Sequence, residues 1–279
     1  MQPRGTAPST MPREHGAWAM LLQPFVGSLI ALKAVAWPVA PALACVVLAF
    51  LVREPLLVLA RQKWVWRDPH PETAAARMQV ILQLAGLAIG AGLLALVWPI
   101  KILLGLGGAA GALTILAVTM TVHNRQREVW FQALSATGLS ASGPATCLAV
   151  TGSIPTRGWS WWLLHAVHFW TGILVVHVRL QARIDAKRTP GVISLAVRGM
   201  SNQARVVQGI VALAGLALIL WGQLYYGLAL LISCAVHLRD IAAAPTAEAI
   251  AMPMSTVGKR ALVVSLVFTG LLIAAVWRG

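Results

Sequence analysis

The chain has 279 residues, 58% of them hydrophobic and 11% charged, with a mean hydropathy of +0.77; a soluble core of this size cannot hide that much apolar surface, so most of the chain must face lipid. The formal charge of +14 would suit a nucleic acid, but the basic residues are spread over short loops with no nucleic-acid-binding motif, which leaves anionic membrane lipid as the counter-charge. Cys45, Cys147 and Cys234 are odd in number and each sits in an apolar run, excluding a disulfide framework or a paired-cysteine metal site.

Taken in chain order, residues 1–15 form a polar tail, expected to be cytoplasmic and to lead into an uncleaved first helix. Residues 16–279 then read as a single transmembrane domain. Apolar stretches divided by charge and proline predict spans at 16–36, 38–60, 77–98, 100–122, 129–151, 159–179, 204–221, 224–238 and 260–277. The fifth is rich in Gly, Ser and Thr, and the seventh and eighth are short. Residues 192–200 are expected to form a separate short interfacial helix. The predicted fold is thus an all-α polytopic membrane protein of about nine transmembrane helices.

Basic residues orient these spans. With the N-terminus inside and the C-terminus outside, eighteen of the Lys and Arg residues fall on the cytoplasmic side; Lys33, Lys101, Arg157 and Arg278 fall on the other. Trp37, Trp98, Trp159, Trp161, Trp162 and Trp277 are then expected at the outer interface, with Trp64 and Trp66 at the inner one.

Polar groups cluster at the cytoplasmic ends of the even-numbered spans. Arg53 follows Leu51 and Val52, and three later ends read His123-Asn124-Arg125, His177-Val178-Arg179 and His237-Leu238-Arg239. Arg13, Glu14 and His15 enter from the same side, and Glu54, Glu128, Asp185 and Asp240 are acidic partners at that level. Residues two apart on a helix point in different directions, so a His and its Arg cannot both line one pocket. Helical spacing aligns His165, His168, Gly172, Arg179 and Arg183 on the sixth span, and Gly107, Gly111, Thr114, Thr121 and Arg125 on the fourth. The arginines are expected to face a shared cavity, walled by Gly16, Gln23, Ser135, Ser142 and Thr146. Guanidinium groups suit bidentate capture of phosphate or carboxylate, which implies an anionic, amphipathic ligand. Against this stands a plain alternative: arginines at cytoplasmic helix ends satisfy the charge rule, snorkel, and favour the helix dipole. His165 and His168 read as hydrogen-bonded interior groups rather than metal or haem ligands, and Gly105, Gly107, Gly108 and Gly111 as close helix packing.

The run Pro12-Arg13-Glu14-His15-Gly16-Ala17-Trp18-Ala19-Met20, with Pro24, Phe25 and Gly27, resembles the YwiC-like family of bacterial integral membrane proteins. Arg53-Glu54-Pro55 and Val257-Gly258-Lys259-Arg260 are similar to it as well. The resemblance implies a multi-pass protein of the bacterial inner membrane and leaves its activity open. The layout, with longer loops after the second and sixth spans, also looks like the UbiA superfamily of intramembrane prenyltransferases. Those enzymes carry aspartate-rich, Mg²⁺-binding motifs in these loops; here stand Arg53, Glu54, Asp68 and Glu72 in one and Asp185 alone in the other, so neither Mg²⁺ nor a catalytic aspartate is expected. The resulting expectation is a lipid- or isoprenoid-binding protein whose candidate contacts are Arg53, Arg125, Arg179, Arg239, Arg13, Glu14, His15, Gln23, Glu54 and His168. A small-solute or anion transporter and a non-catalytic subunit of a membrane complex are the alternatives.

Overall fold

A computed structural model describes residues 15–66, 71–188 and 194–278, and within them every regular element is a helix. α1 (His15–Leu32) contains Pro24, which lacks a backbone donor and opens the turn before it. The neighbouring helices supply donors along this part of α1: the Ser142 hydroxyl bonds the Leu21 carbonyl at 2.6 Å, in the turn before the proline, and the Trp161 indole and the Thr146 hydroxyl bond the Pro24 and Phe25 carbonyls, each at 3.2 Å. Side-chain donors from adjacent helices commonly serve a proline-bearing membrane helix in this way. Ser142 and Thr146 therefore hold helices together and do not wall a cavity.

α2 (Val39–Leu51) and α3 (Arg53–Arg61) continue through the π-helical turn Gln62–Trp66 as one rod. Their break at Val52 precedes Pro55, which cannot donate to the carbonyl four residues back. α4 (Glu72–Leu94) and α5 (Ile100–Val122) follow, the second beginning directly after Pro99. α6 (Val129–Ser140) and α7 (Ser142–Thr151) form a rod broken at Ala141, again three residues before a proline, Pro144, and ended by Gly152 at φ +72°.

α8 (Thr156–Arg188) is the long central helix. In its apolar window 44% of residues are buried, against 6% in α5, which lies on the rim of the bundle. α9 (Leu195–Leu220) starts at Ser194, whose hydroxyl accepts from the Val197 amide at 3.2 Å. This cap extends the helix well below the expected start at residue 204 and absorbs the described part of the proposed interfacial segment; residues 192 and 193 lie outside the described residues. Gly222, at φ +79°, turns the chain into α10 (Leu224–Ala243), and α11 (Ala247–Ala251) leads to α12 (Met254–Arg278). The seventh and eighth spans are accordingly longer than hydropathy alone marks them.

Seven of these rods are long and apolar enough to cross a membrane. The shorter α1 and the broken α6–α7 rod pack among them. α1 touches α7, α12, α6 and α8; α10 touches α9, α12 and α8. α9 and α10 approach backbone to backbone at Gly215 and Gly227, where a Cβ on Gly227 would run into the Gly215 carbonyl oxygen. Gly105, Gly107, Gly108 and Gly111, expected as packing glycines, instead have nothing within 4 Å of a Cβ position and are exposed on α5. Trp98 and Trp161, expected at the interface, are 6% and 3% exposed and belong to the core, whereas Trp37, Trp64, Trp159 and Trp277 are exposed.

Candidate functional site

Within the bundle, α8 presents His165, His168, Thr171 and Arg179 inward, all buried; of the expected stripe, Gly172 and Arg183 are only half-buried, and Thr171 is not part of it. Polar side chains at lipid depth need partners: His165, His168 and Arg179 find them on α12 or α10, while the Thr171 hydroxyl donates to the His168 carbonyl of its own helix. His165 Nδ1 lies 2.9 Å from the Trp161 carbonyl, which accepts only, so this nitrogen carries the proton. Its Nε2 then accepts from the Thr269 hydroxyl at 3.0 Å. Gln23 donates to Thr269 Oγ1 at 2.6 Å and to the Ser265 carbonyl, and its own carbonyl oxygen accepts from the Ser265 hydroxyl at 2.7 Å.

One turn further along α8, His168 Nδ1 meets the Ser233 hydroxyl at 2.8 Å. The His168 ring is flanked by the Phe268 ring at 4.1 Å and the His237 ring at 5.8 Å, both nearly parallel to it. His237 Nδ1 lies 3.1 Å from the Gln208 amide nitrogen, which also faces the Thr171 carbonyl at 3.4 Å. Gln208 is fully buried, and its carbonyl oxygen has no partner. A second histidine, His237 on α10, thus faces the α8 stripe. Among the described residues no group of three or more His, Cys, Asp or Glu is arranged to hold a metal ion.

The basic end of the bundle is where α8 and α10 finish and α9 begins. Here Arg179, 3% exposed, donates to the Asp240 carboxylate at 2.9 Å, while its Nε has no partner. The other predicted arginines do not join it. Arg53 pairs with its neighbour Glu54 at 2.7 Å, half-buried on α3. Arg125 is 61% exposed and pairs with Glu128 at 2.5 Å; that guanidinium, and then the Trp130 indole, hold the Glu128 carboxyl below the usual carboxylate range. Arg239 is exposed. Neither of the two cavities described below is lined by any of the four; Arg125 and Arg239 are exposed, Arg53 is half-buried beside its own Glu54, and of the four only Arg179 lies in the interior. Gln23 and His168 belong to the interior polar seam. Gly16 is exposed with nothing near it, and Arg13, Glu14 and the side chain of His15 lie outside the described residues.

Two cavities lie elsewhere among the described residues. One, about 230 Å³, is an apolar groove between α6 and α8 lined by Thr137, Trp162 and Trp170 among others. The second, about 270 Å³, opens at the basic end between α9 and α10 and is lined by Arg198, Ser201, Asn202, Arg205, Ile241 and Pro245. Arg198, Asn202 and Arg205 are spaced four and three residues apart, one face of α9. That spacing is visible in the sequence, but the predicted span starts at 204 and the predicted interfacial helix ends at 200, which separates Arg198 from Arg205 and leaves Asn202 between elements. Gln208 and Ser233 were missed for a different reason: a single amide or hydroxyl inside an apolar run gives no sign of what it meets.

Helices throughout, lipid-length rods, a buried polar seam and a basic groove at one end define a polytopic all-α membrane protein. The family model described as YwiC-like protein matches residues 11–147, just under half of the chain, so that part of the chain is similar to this family. The matched segment runs from the N-terminal signature into α7, so the α8–α10 seam and the basic groove lie beyond it. No curated protein and no solved structure matches the chain.

Proposed function

We propose that this YwiC-like membrane protein binds an amphipathic anionic lipid or isoprenoid phosphate, with the head group in the groove between α9 and α10. The observation that carries this reading is the composition of that groove: two guanidinium groups, a hydroxyl and an amide converge on one opening, beside the apolar Ile241 and Pro245. Guanidinium forks match phosphate oxygens bidentately, Ser201 and Asn202 add neutral donors, and the apolar rim suits the start of a hydrocarbon chain. The charge asymmetry of the loops supports a cytoplasmic position for this end in a bacterial inner membrane, and hence access to inner-leaflet lipid. The UbiA-like layout favours the same class of ligand.

Mass spectrometry of lipid retained by the protein purified in mild detergent is the test. Arg198→Ala combined with Arg205→Ala should lower retained anionic lipid several-fold and leave zwitterionic lipid unchanged. Equal retention by the double variant and the wild type would count against the reading. A second reading, carriage of a small solute, draws on the buried seam of ionisable and amide groups through α8, α9 and α10, since such groups in membranes commonly mark transport paths. It predicts solute flux in proteoliposomes that survives loss of Arg198 and Arg205.

A further inference from the structure

Ser201 departs from the way other helical hydroxyls of this chain are satisfied. Thr114, Thr119, Thr121, Thr137 and Thr151 each donate to the carbonyl four residues back in their own helix. The Ser201 hydroxyl makes no hydrogen bond among the described residues, although the residue is only 7% exposed, and it lines the groove between α9 and α10. A hydroxyl buried this far without a partner is unfavourable, and native proteins seldom keep one without a use. The charged groups of the groove are uncommitted too. Among the described residues Arg198 and Arg205 form no ion pair, in contrast with Arg53, Arg125 and Arg179, and no carboxylate lines the opening.

Helical geometry gathers these donors. Arg198 and Arg205 stand on one flank of α9, about 10 Å apart along its axis, with Ser201 and Asn202 between them. Half that distance is within the reach of an arginine side chain, so both guanidinium forks can close on an anion held over the hydroxyl and the amide. Donor count and charge then select the anion. A phosphate monoester presents three free oxygens and a charge of about −1.5 to −2, whereas a diester presents two and a charge of about −1. Two forks, a hydroxyl and an amide, carrying two positive charges, match the monoester in both respects. A diphosphate carries more charge than two guanidinium groups balance, and among the described residues no group of three or more His, Cys, Asp or Glu is arranged to bring in a metal ion.

We infer that the groove between α9 and α10 is selective for a phosphate monoester carried on a membrane lipid, with Ser201 donating to the third oxygen that a phosphodiester lacks. The inference rests on the reading of this groove as a head-group site and adds the class of head group. The flank that carries the arginines continues in register as Gly209, Ala212 and Leu216. Gly209 has nothing within 4 Å of its Cβ position, so an open, shallow apolar track leads from Arg205 along the helix. A phosphorylated diacylglycerol and a prenyl monophosphate share the required chemistry, a terminal phosphate on an apolar chain. Free inorganic phosphate makes no use of the track.

The test offers the delipidated full-length protein, in mixed micelles, phosphatidic acid in competition with phosphatidylmethanol, the same lipid with its phosphate capped as a methyl diester. Native mass spectrometry reads what is bound. Phosphatidic acid should be bound several-fold in preference to phosphatidylmethanol. Ser201→Ala should bring that ratio close to one, and Ser201→Thr, which keeps the hydroxyl, should preserve it. Farnesyl phosphate in a further competition separates the two chain types: whichever of it and phosphatidic acid displaces the other names the chain, and both results uphold the monoester. Displacement of phosphatidic acid by an equal concentration of inorganic phosphate would overturn the inference, because the chain would then contribute nothing. Equal binding of phosphatidic acid and phosphatidylmethanol, with both lost in the Arg198→Ala, Arg205→Ala variant, would overturn the selectivity and leave the head-group reading standing. A preference for cardiolipin over phosphatidic acid, or a Ser201→Ala ratio equal to that of the wild type, would overturn it as well. Binding of neither lipid would sink both ideas.

Discussion

Arg179 on α8 and Asp240 on α10 face each other at 2.9 Å, with the arginine 3% and the aspartate 18% exposed. The pair ties the basic ends of two central helices together at a depth where an unpaired charge is costly. Replacing Asp240 with Asn should therefore cost about 3–5 kcal/mol, because it leaves a buried guanidinium uncompensated. Thermal unfolding in detergent reads the loss, and Arg179→Met with Asp240→Leu should recover most of it by removing both charges. A double variant no more stable than Asp240→Asn would show that the pair does not act as a unit.

Gly227 and Gly215 let α10 and α9 approach backbone to backbone. A methyl on Gly227 meets the Gly215 carbonyl oxygen and Ile219 Cγ1, each at 2.4 Å, so Gly227→Ala should destabilise by about 1–3 kcal/mol through forced separation of the helices. Gly107→Ala on α5 enters open space and should raise stability by roughly 0.5–1 kcal/mol, the ordinary helix preference for alanine. A fluorescence-based melting series comparing the two substitutions checks the opposite signs.

Thr269 serves two partners at once, accepting from Gln23 and donating to His165. Thr269→Val preserves shape but strands a ring nitrogen and an amide hydrogen in the core, with an expected cost of about 1–3 kcal/mol. Thr269→Ser should retain most of the wild-type stability, since it keeps the hydroxyl. Equal melting temperatures for the Val and Ser variants would argue that these hydrogen bonds contribute little.

Arg125 holds the Glu128 carboxyl below its usual range, in the connection between α5 and α6. A depressed carboxyl contributes stability above its unfolded value, and the contribution disappears as pH falls through the folded one. Arg125→Ala should raise the Glu128 titration toward the ordinary carboxylate range while leaving the melting temperature almost unchanged, because the pair is exposed. Side-chain ¹³C NMR of Glu128 follows the shift; no movement would mean that Trp130 alone sets it.

Hydropathy determined a great deal here. Twenty-residue apolar runs have few options in lipid except the helix, because every backbone polar group must be satisfied within the segment, and so the rods α4, α5, α8, α9, α10 and α12 are legible from the chain alone. The inward stripe of α8 is legible too, since histidines three residues apart fall on one helical face. Breaks were harder to read: the α2–α3 and α6–α7 interruptions follow from Pro55 and Pro144, whose effect on a helix depends on whether neighbours satisfy the freed groups.

Which way each polar residue points was decided only by the tertiary structure. Of the two His-x-Arg ends on central helices, α8 buries Arg179 and leaves His177 half-buried against Gln132, whereas α10 buries His237 and exposes Arg239. The local sequences are alike, and a helix two residues out of phase relative to its neighbours exchanges the roles of the pair. Helical phase is set by contacts such as Gly215 against Gly227 and Trp161 against Pro24, between residues far apart in the chain. The sequence thus fixes what the helices are made of and that lipid surrounds them, while the packing of those helices selects which of their polar groups meet.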